Sequence, residues 1–346
     1  MDFPQFISFT VTNSCNLRCR MCGQWSEEGY VLNRTVDTRS RMKLSDWNRI
    51  VDEIALYKIR FLLVRGGEPL LFRGIIELLK YVNNKGIFLS VDTNGTAVGR
   101  FADDLSRISN MHITFSVDGT EKVHDDVRKV KGSFQKIKQN IAVLNDLEKK
   151  NGNKISKSIC FTISRYNYQV LGEMADVARS LSVPSVNIVP YYYFSNTVGA
   201  QYEKELRVNF DCTAFSWTGF HHEDSGIEFA RFREELRKYR ASLGDIDDFP
   251  YMPLAEDEYR IWFQDSSSVV GSPRCMNVDK LIDIQPSGEA NFCVDFPDYS
   301  FGNVKNSSIS EIWNGPRAQR FRNYRHERPL SVCYRCGAKY ISAIKE

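Results

Sequence analysis

Residues 6–22 read Phe6-Ile7-Ser8-Phe9-Thr10-Val11-Thr12-Asn13-Ser14-Cys15-Asn16-Leu17-Arg18-Cys19-Arg20-Met21-Cys22, an alternating apolar run followed by three cysteines spaced C-x3-C-x2-C. The alternation has the period of a strand, and the cysteines fall on the loop that leaves it. Three thiolates on one short loop suit a cubane 4Fe–4S cluster held at three corners, with one iron left open to a small molecule. Zinc is the rival for closely spaced cysteines, but structural zinc wants four ligands, usually in C-x2-C pairs. This loop has no fourth Cys or His. Buried structural thiols are the remaining alternative.

Outward from that loop, the chain's composition sets bounds. Its 346 residues, 42% hydrophobic and 26% charged, supply ample material for a buried core and for two domains. A net charge of +3 gives no strong argument for nucleic acid or an anionic membrane. The start, Met1-Asp2-Phe3-Pro4-Gln5, lacks the pattern of a signal peptide. No later stretch approaches the roughly 18 unbroken apolar residues of a spanning helix. The expectation is a cytoplasmic protein whose nine cysteines, clustered in a reducing compartment, point to metal rather than disulfides.

Strand-like and helix-like segments alternate to about residue 190. The polar stretch Ser26 to Arg41 reads as a surface loop near the cysteines. A helical pattern follows at Trp47, Ile50, Val51 and Ile54, then the short run Phe61-Leu62-Leu63-Val64. Further strands are predicted at Ile87–Val91, His112–Val117, Ser158–Ile163 and Ser185–Val189. Helices are predicted at Leu70–Asn84, Val98–Ile108, Phe134–Lys149 and Tyr168–Leu181. Six strands joined by crossover helices mean a parallel sheet with the strand ends at one mouth.

On the cysteine loop the sequence resembles the radical SAM superfamily, whose cluster loop is C-x3-C-x2-C after the first barrel strand. The resemblance implies an α/β fold curled into a partial (β/α)6 TIM-like barrel. It also implies reductive cleavage of S-adenosylmethionine to a 5′-deoxyadenosyl radical that takes a substrate hydrogen, with an electron donor such as flavodoxin or ferredoxin. Gly66-Gly67-Glu68-Pro69 alone is a glycine turn before a helix. It also matches the family's motif after the second strand, where backbone carbonyls and the Glu meet the cofactor's amino group. Asp92-Thr93-Asn94-Gly95 and Ser116-Val117-Asp118-Gly119 read alone as Asx turns. They resemble the third- and fourth-strand motifs, which nominates Thr93, Asn94, Ser116 and Asp118 for the cofactor pocket. His124-x3-Arg128-x3-Gly132-Ser133-Phe134 resembles the segment whose Arg, here Arg128, pairs with the cofactor carboxylate. The aromatic run Tyr191-Tyr192-Tyr193-Phe194 reads as core or lid.

The boundaries expected are a barrel over 1–195, a partly helical connector over 196–270 with one helix at Glu228–Leu243, and a second domain over 271–346. There Cys275 precedes Leu281-Ile282-Asp283-Ile284, a hairpin signal ends in Cys293, and Cys333-x2-Cys336 completes the set. Four cysteines fit closed zinc or a fully ligated 4Fe–4S cluster, and spacing alone favours zinc. Phe301-Gly302-Asn303-Val304 and Glu311-Ile312-Trp313-Asn314 resemble signatures of SPASM and twitch extensions, which hold auxiliary clusters. Four cysteines suit the shorter twitch type, a small α+β domain with a β-hairpin and one auxiliary cluster. His221-His222 reads as a solvated loop, the Arg317–Arg328 stretch as a solvated helix face, and Cys160 as core.

The reading is a radical SAM enzyme with S-adenosylmethionine and two 4Fe–4S clusters, one catalytic and one auxiliary. It oxidises a sugar-like or aminocyclitol-like small molecule, or matures a peptide. The cyclase of molybdopterin synthesis is disfavoured because the chain ends Ile344-Lys345-Glu346 rather than in Gly-Gly. A radical epimerase would need a cysteine hydrogen donor, for which Cys212 is the loop candidate; no catalytic side chain is otherwise assigned. A zinc-stabilised binding protein or an electron carrier are the readings of other classes, and motifs at successive strand ends speak against both.

Overall fold

The structure is a computed structural model and describes residues 3–33, 41–249, 252–271 and 274–337. β1 (Phe6–Thr10) sits inside a ten-stranded sheet of order β10-β9-β8-β1-β2-β3-β4-β5-β6-β7. β2 (Phe61–Arg65), β3 (Phe88–Thr93), β4 (Met111–Ser116), β5 (Ser156–Ile163) and β6 (Ser185–Pro190) follow β1 in parallel, as the six predicted strands require. β7 (Asp247–Asp248) extends the far edge. Among the described residues no helix is long and apolar enough to cross a membrane.

The register separates two faces, because successive side chains on a strand point to opposite sides. Ile7, Leu62 and Leu89 form one row, and Phe9, Val64, Val91 and Ile113 another. These buried rows carry the helices: Trp47 of the helix Leu44–Leu56 meets Phe9 at a ring-centroid distance of 4.6 Å. The opposite face is polar. There Asp283, Ser8 and Leu63 align, as do Thr10 with Arg65, Asp92 with Thr114, and Ser116 with Cys160. Sheets buried on both sides usually read as continuous apolar runs, so this polar inner wall marks the working face of the partial barrel. Cys160 lies on that wall, half-buried, rather than in the apolar core expected for it.

Several predicted helices are broken into a short 3-10 turn and an α-helix. The segment expected as Leu70–Asn84 is a turn at Pro69–Leu71 and a helix at Ile75–Asn84, separated by Gly74 at φ +95°. Among the described residues of 196–270 there are three α-helices, Asn196–Phe210, Phe229–Ser242 and Glu256–Gln264, where one was expected. Of the Ser26–Arg41 loop, residues 34–40 lie outside the described residues, as do the terminal residues 344–346.

The C-terminal elements complete the sheet. β8 (Leu281–Ile284) runs parallel to β1 and forms the predicted hairpin with the antiparallel β9 (Glu289–Asn291), to which β10 (Gly302–Asn303) adds antiparallel. Gly288, at φ +93°, makes the turn that L side chains resist. The Glu-Ile-Trp-Asn signature is the helix Ile309–Asn314, opened by a capping box between Ser308 and Glu311 and anchored by buried Ile312 and Trp313. The helix Pro316–Glu327 follows it.

Candidate functional site

The cysteine loop is held against the end of β2 by backbone. The Gly67 amide donates to Thr12 O at 2.7 Å and the Glu68 amide to Ser14 O at 2.8 Å. A Cβ on Gly67 would stand 2.3 Å from Ser14 O, and one on Gly66 2.4 Å from Thr12 O, so the approach admits only glycine at both positions. The loop closes on itself through the Cys22 amide to Cys19 O at 3.1 Å and the Leu17 amide to Cys15 Sγ at 3.5 Å. Burial pushes the Cys15 thiol up to about 11 and the Cys22 thiol up to about 12. Cys19 is also raised by burial, opposed by Arg128, whose Nη1 lies 3.6 Å from Cys19 Sγ. Three thiols, Cys19 buried and Cys15 and Cys22 half-buried, become thiolates when a metal centre displaces their protons. This donor set, with a backbone N–H and a guanidinium aimed at sulfur, suits an iron–sulfur cluster.

Glu68 is fully buried and faces the end of β3. It accepts from Thr93 Oγ1 at 2.7 Å, the Asn94 amide at 2.8 Å and the Leu70 amide at 3.1 Å. Burial raises its carboxyl, against those three bonds. Glu68, Thr93 and Asn94 thereby form one connected unit beneath the cysteine loop, which Asn94 Nδ2 reaches through Asn16 Oδ1 at 3.0 Å. Pro69 is buried at the start of the 3-10 turn. Ser116 ends β4 half-buried on the polar wall, beside Cys160.

The Arg128 guanidinium pairs with Asp118, Nε to Oδ2 at 2.5 Å, and both side chains are buried. Two residues expected separately in the cofactor pocket are thus each other's partners, with Arg128 bridging Asp118 to Cys19. His124 accepts from the Asp118 amide at Nδ1 over 3.2 Å, and burial holds its imidazole down at about 3, so it stays neutral. Asp125, which the motif did not single out, accepts from Ser133 Oγ at 2.8 Å and the Phe134 amide at 2.9 Å. From the helix Glu121–Arg128 it thereby holds the first turn of the helix Ser133–Asn151 and fixes the helix-to-helix connection.

The polar wall also holds charges that the motifs did not flag. Arg65 Nη2 pairs with Asp295 Oδ1 at 3.0 Å, with Asp283 and Asp92 adding to the field that keeps Arg65 charged. Burial lifts Asp283 to about 6, opposed by Arg65. Gln285 Nε2 donates to Asp283 Oδ2 at 2.5 Å.

At the C-terminal end, Cys275, Cys293, Cys333 and Cys336 come from three separate stretches of chain and line one cavity together with Arg325 and Tyr202. Burial and the neighbouring thiols raise Cys275 and Cys293. Among the described residues no three Cys, His, Asp or Glu side chains close on a single ion. The four thiols line one small cavity. Cys212 lies just past the helix Asn196–Phe210; its charged neighbours are Asp298, Arg317 and Asp211. The nearby Asp298 carboxylate accepts from the Phe215 amide at 2.6 Å, the Ser216 amide at 2.9 Å and Tyr202 Oη at 2.9 Å.

The Arg317–Arg328 stretch is not the uniform solvated face expected. Arg322 lies over Trp313 at 3.9 Å and donates to Trp313 O and Val278 O, while Arg325 is buried. The signal was present in the sequence. Ala318, Phe321 and Arg325 follow i, i+3, i+7 spacing, which puts Arg325 on the buried stripe.

Residues 9–178 match the family model of the radical SAM superfamily, and residues 275–337 match that of an iron–sulfur cluster-binding domain, SPASM. Over 356 residues the chain is 22% identical to the Fe-coproporphyrin III synthase of Methanosarcina barkeri, covering 97% of this chain and 81% of that protein. Over 346 residues it is 25% identical to the pre-heme d1 synthase of Dinoroseobacter shibae, covering 96% and 78%. Streptococcus suis SuiB bound to its precursor peptide SuiA superposes with a TM-score of 0.65 at 14% identity, over 97% of this chain and 72% of that one, a likeness of fold.

Proposed function

The chain belongs to the radical SAM superfamily and carries a C-terminal iron–sulfur cluster-binding domain, and from that premise we propose that it is an oxidising enzyme or maturase acting on a peptide or small molecule. In this reading Cys15, Cys19 and Cys22 hold the cluster that, with S-adenosylmethionine, supplies the hydrogen-abstracting radical, and Cys275, Cys293, Cys333 and Cys336 hold an auxiliary cluster that accepts the substrate's electron. The observation that carries it is the second set: four cysteines line one cavity, one thiol for each corner of a cubane, and a fully ligated cluster suits electron transfer rather than substrate ligation. The chain's own residues do the positioning. Gly66 and Gly67 let the cysteine loop and the cofactor approach backbone. Glu68 ties that turn to Thr93 and Asn94, and Ser116 and Asp118 stand at the next strand end, where the cofactor's polar groups need acceptors and donors. Arg128 supplies positive charge beside Cys19 while neutralising Asp118. The polar wall, with Arg65, Asp92, Asp283 and Asp295, faces the substrate.

Relatives named as a coproporphyrin synthase, a heme d1 precursor synthase and a peptide-bound enzyme support tetrapyrrole-sized or peptide substrates as much as sugars. An electron-donor protein such as flavodoxin or ferredoxin is the implied reductant. The test is anaerobic turnover with S-adenosylmethionine and reductant in D2O. 5′-Deoxyadenosine forms, product carries no solvent deuterium at the abstracted carbon, and Cys212→Ala retains turnover. Deuterium in the product, lost with turnover in Cys212→Ala, replaces oxidation with epimerisation.

A further inference from the structure

We propose that Arg325 is the charge partner of the C-terminal four-cysteine centre and holds its reduction potential up, poising it to take an electron. The inference rests on the reading that Cys275, Cys293, Cys333 and Cys336 hold a 4Fe–4S cluster.

Arg325 is 4% exposed and lies in the last turn of the helix Pro316–Glu327, lining the cavity that the four cysteines share. Its Nη1 donates to Arg328 O, but its Nη2 has no hydrogen-bond partner. Among the described residues no carboxylate lies within ion-pair distance of it. A buried guanidinium without a counter-charge is costly, and such groups persist where an anion completes the arrangement. The groups that share its cavity are Cys275, Cys293, Cys333 and Cys336, which as cluster-bound thiolates supply the missing negative charge. A cubane with four thiolates is a net anion that gains one more negative charge on reduction. A fixed cation with a free N–H at its edge stabilises the reduced form more than the oxidised one, and net charge and hydrogen bonds to sulfur are what set cluster potentials. Arg suits the task because it stays protonated in a dry cavity and offers planar donors.

The experiment uses the full chain carrying Cys15→Ala, Cys19→Ala and Cys22→Ala, so that only the C-terminal centre contributes. Iron at about four per chain establishes that centre; its absence here overturns the reading of the cysteines, not the role of Arg325. In that background, Arg325→Gln is titrated by EPR against the Arg325 parent. At the parent's midpoint potential the oxidised-to-reduced ratio should rise at least tenfold, ~59 mV for a one-electron couple. Arg325→Lys, which keeps the charge, should move less than half as far. An unchanged midpoint with full iron in Arg325→Gln overturns the proposal. If Arg325→Gln fails to hold iron, the parent itself decides. Arginine labelled with 15N only in its guanidinium should give a 15N hyperfine coupling to the reduced cluster in pulsed EPR, and no coupling refutes the contact.

Discussion

Replacing Arg128 by Gln tests whether the Asp118–Arg128 pair organises the fourth-strand end. Asp118 is fully buried and its Oδ2 lies 2.5 Å from Arg128 Nε, so the variant leaves an uncompensated carboxylate inside the protein. Breaking such a pair from one side costs about 3–5 kcal/mol. A ceiling follows from protonation. Neutralising a carboxyl of ordinary pKa 3.9 at pH 7.5 costs about 3.6 pH units at 1.36 kcal/mol each, roughly 5 kcal/mol, and at pH 5 only about 1.5 kcal/mol. Burial already raises the Asp118 carboxyl against the pull of Arg128, so removing the guanidinium raises it further. The deficit of the variant should therefore shrink as the pH falls from 7.5 to 5. The double variant Asp118→Asn/Arg128→Gln, with neither charge, should recover most of the loss. Urea unfolding followed by circular dichroism under anaerobic conditions measures all three chains at both pH values. A deficit under 1 kcal/mol, a deficit independent of pH, or a double variant as unstable as the single one would refute the reasoning.

Gly67→Ala places a Cβ 2.3 Å from Ser14 O and 2.6 Å from Asn13 O, both backbone atoms. Relief requires moving the cysteine loop, so stability falls by about 1–3 kcal/mol, and cleavage of S-adenosylmethionine to 5′-deoxyadenosine, measured by chromatography, falls at least tenfold. Asp283 titrates at about 6 in the fold against roughly 3.9 unfolded, so the folded state binds the extra proton and stability drops as pH rises through that window. Asp283→Asn removes this slope: its stability relative to the parent should improve by about 1.4 kcal/mol per pH unit from pH 4 to 6, by at most about 3 kcal/mol in all, and a pH-independent difference contradicts it.

The barrel was legible because its strands are short apolar runs between helical patterns, and because a parallel sheet covered by helices leaves that signature on its packed face. Elements that failed to announce themselves share a physical reason. The helix Asn196–Phe210 buries Tyr202, Leu206 and Phe210 on a four-residue spacing but carries Glu203, Lys204, Glu205 and Arg207 between them, and its Gly199 packs under the Trp217 ring. β7 is two acidic residues that pair only because the edge of β6 is available. At the site, cysteine spacing nominated two thiol sets, but partner choice was invisible. Glu68 turns to Thr93 and Asn94, and Asp118 to Arg128, through contacts between strand ends distant in sequence. Arg325 looked like part of a basic surface because charge was weighed before helical phase.

Two separate thiol sets holding two four-iron clusters are the foundation of the proposed chemistry. Anaerobic reconstitution followed by iron, sulfide and zinc analysis tests it on the intact chain and on the variant with Cys15, Cys19 and Cys22 changed to Ala. The intact chain should hold about eight irons and the variant about four, with no zinc in either. Four irons in the intact chain with one zinc, and zinc alone in the variant, would contradict it.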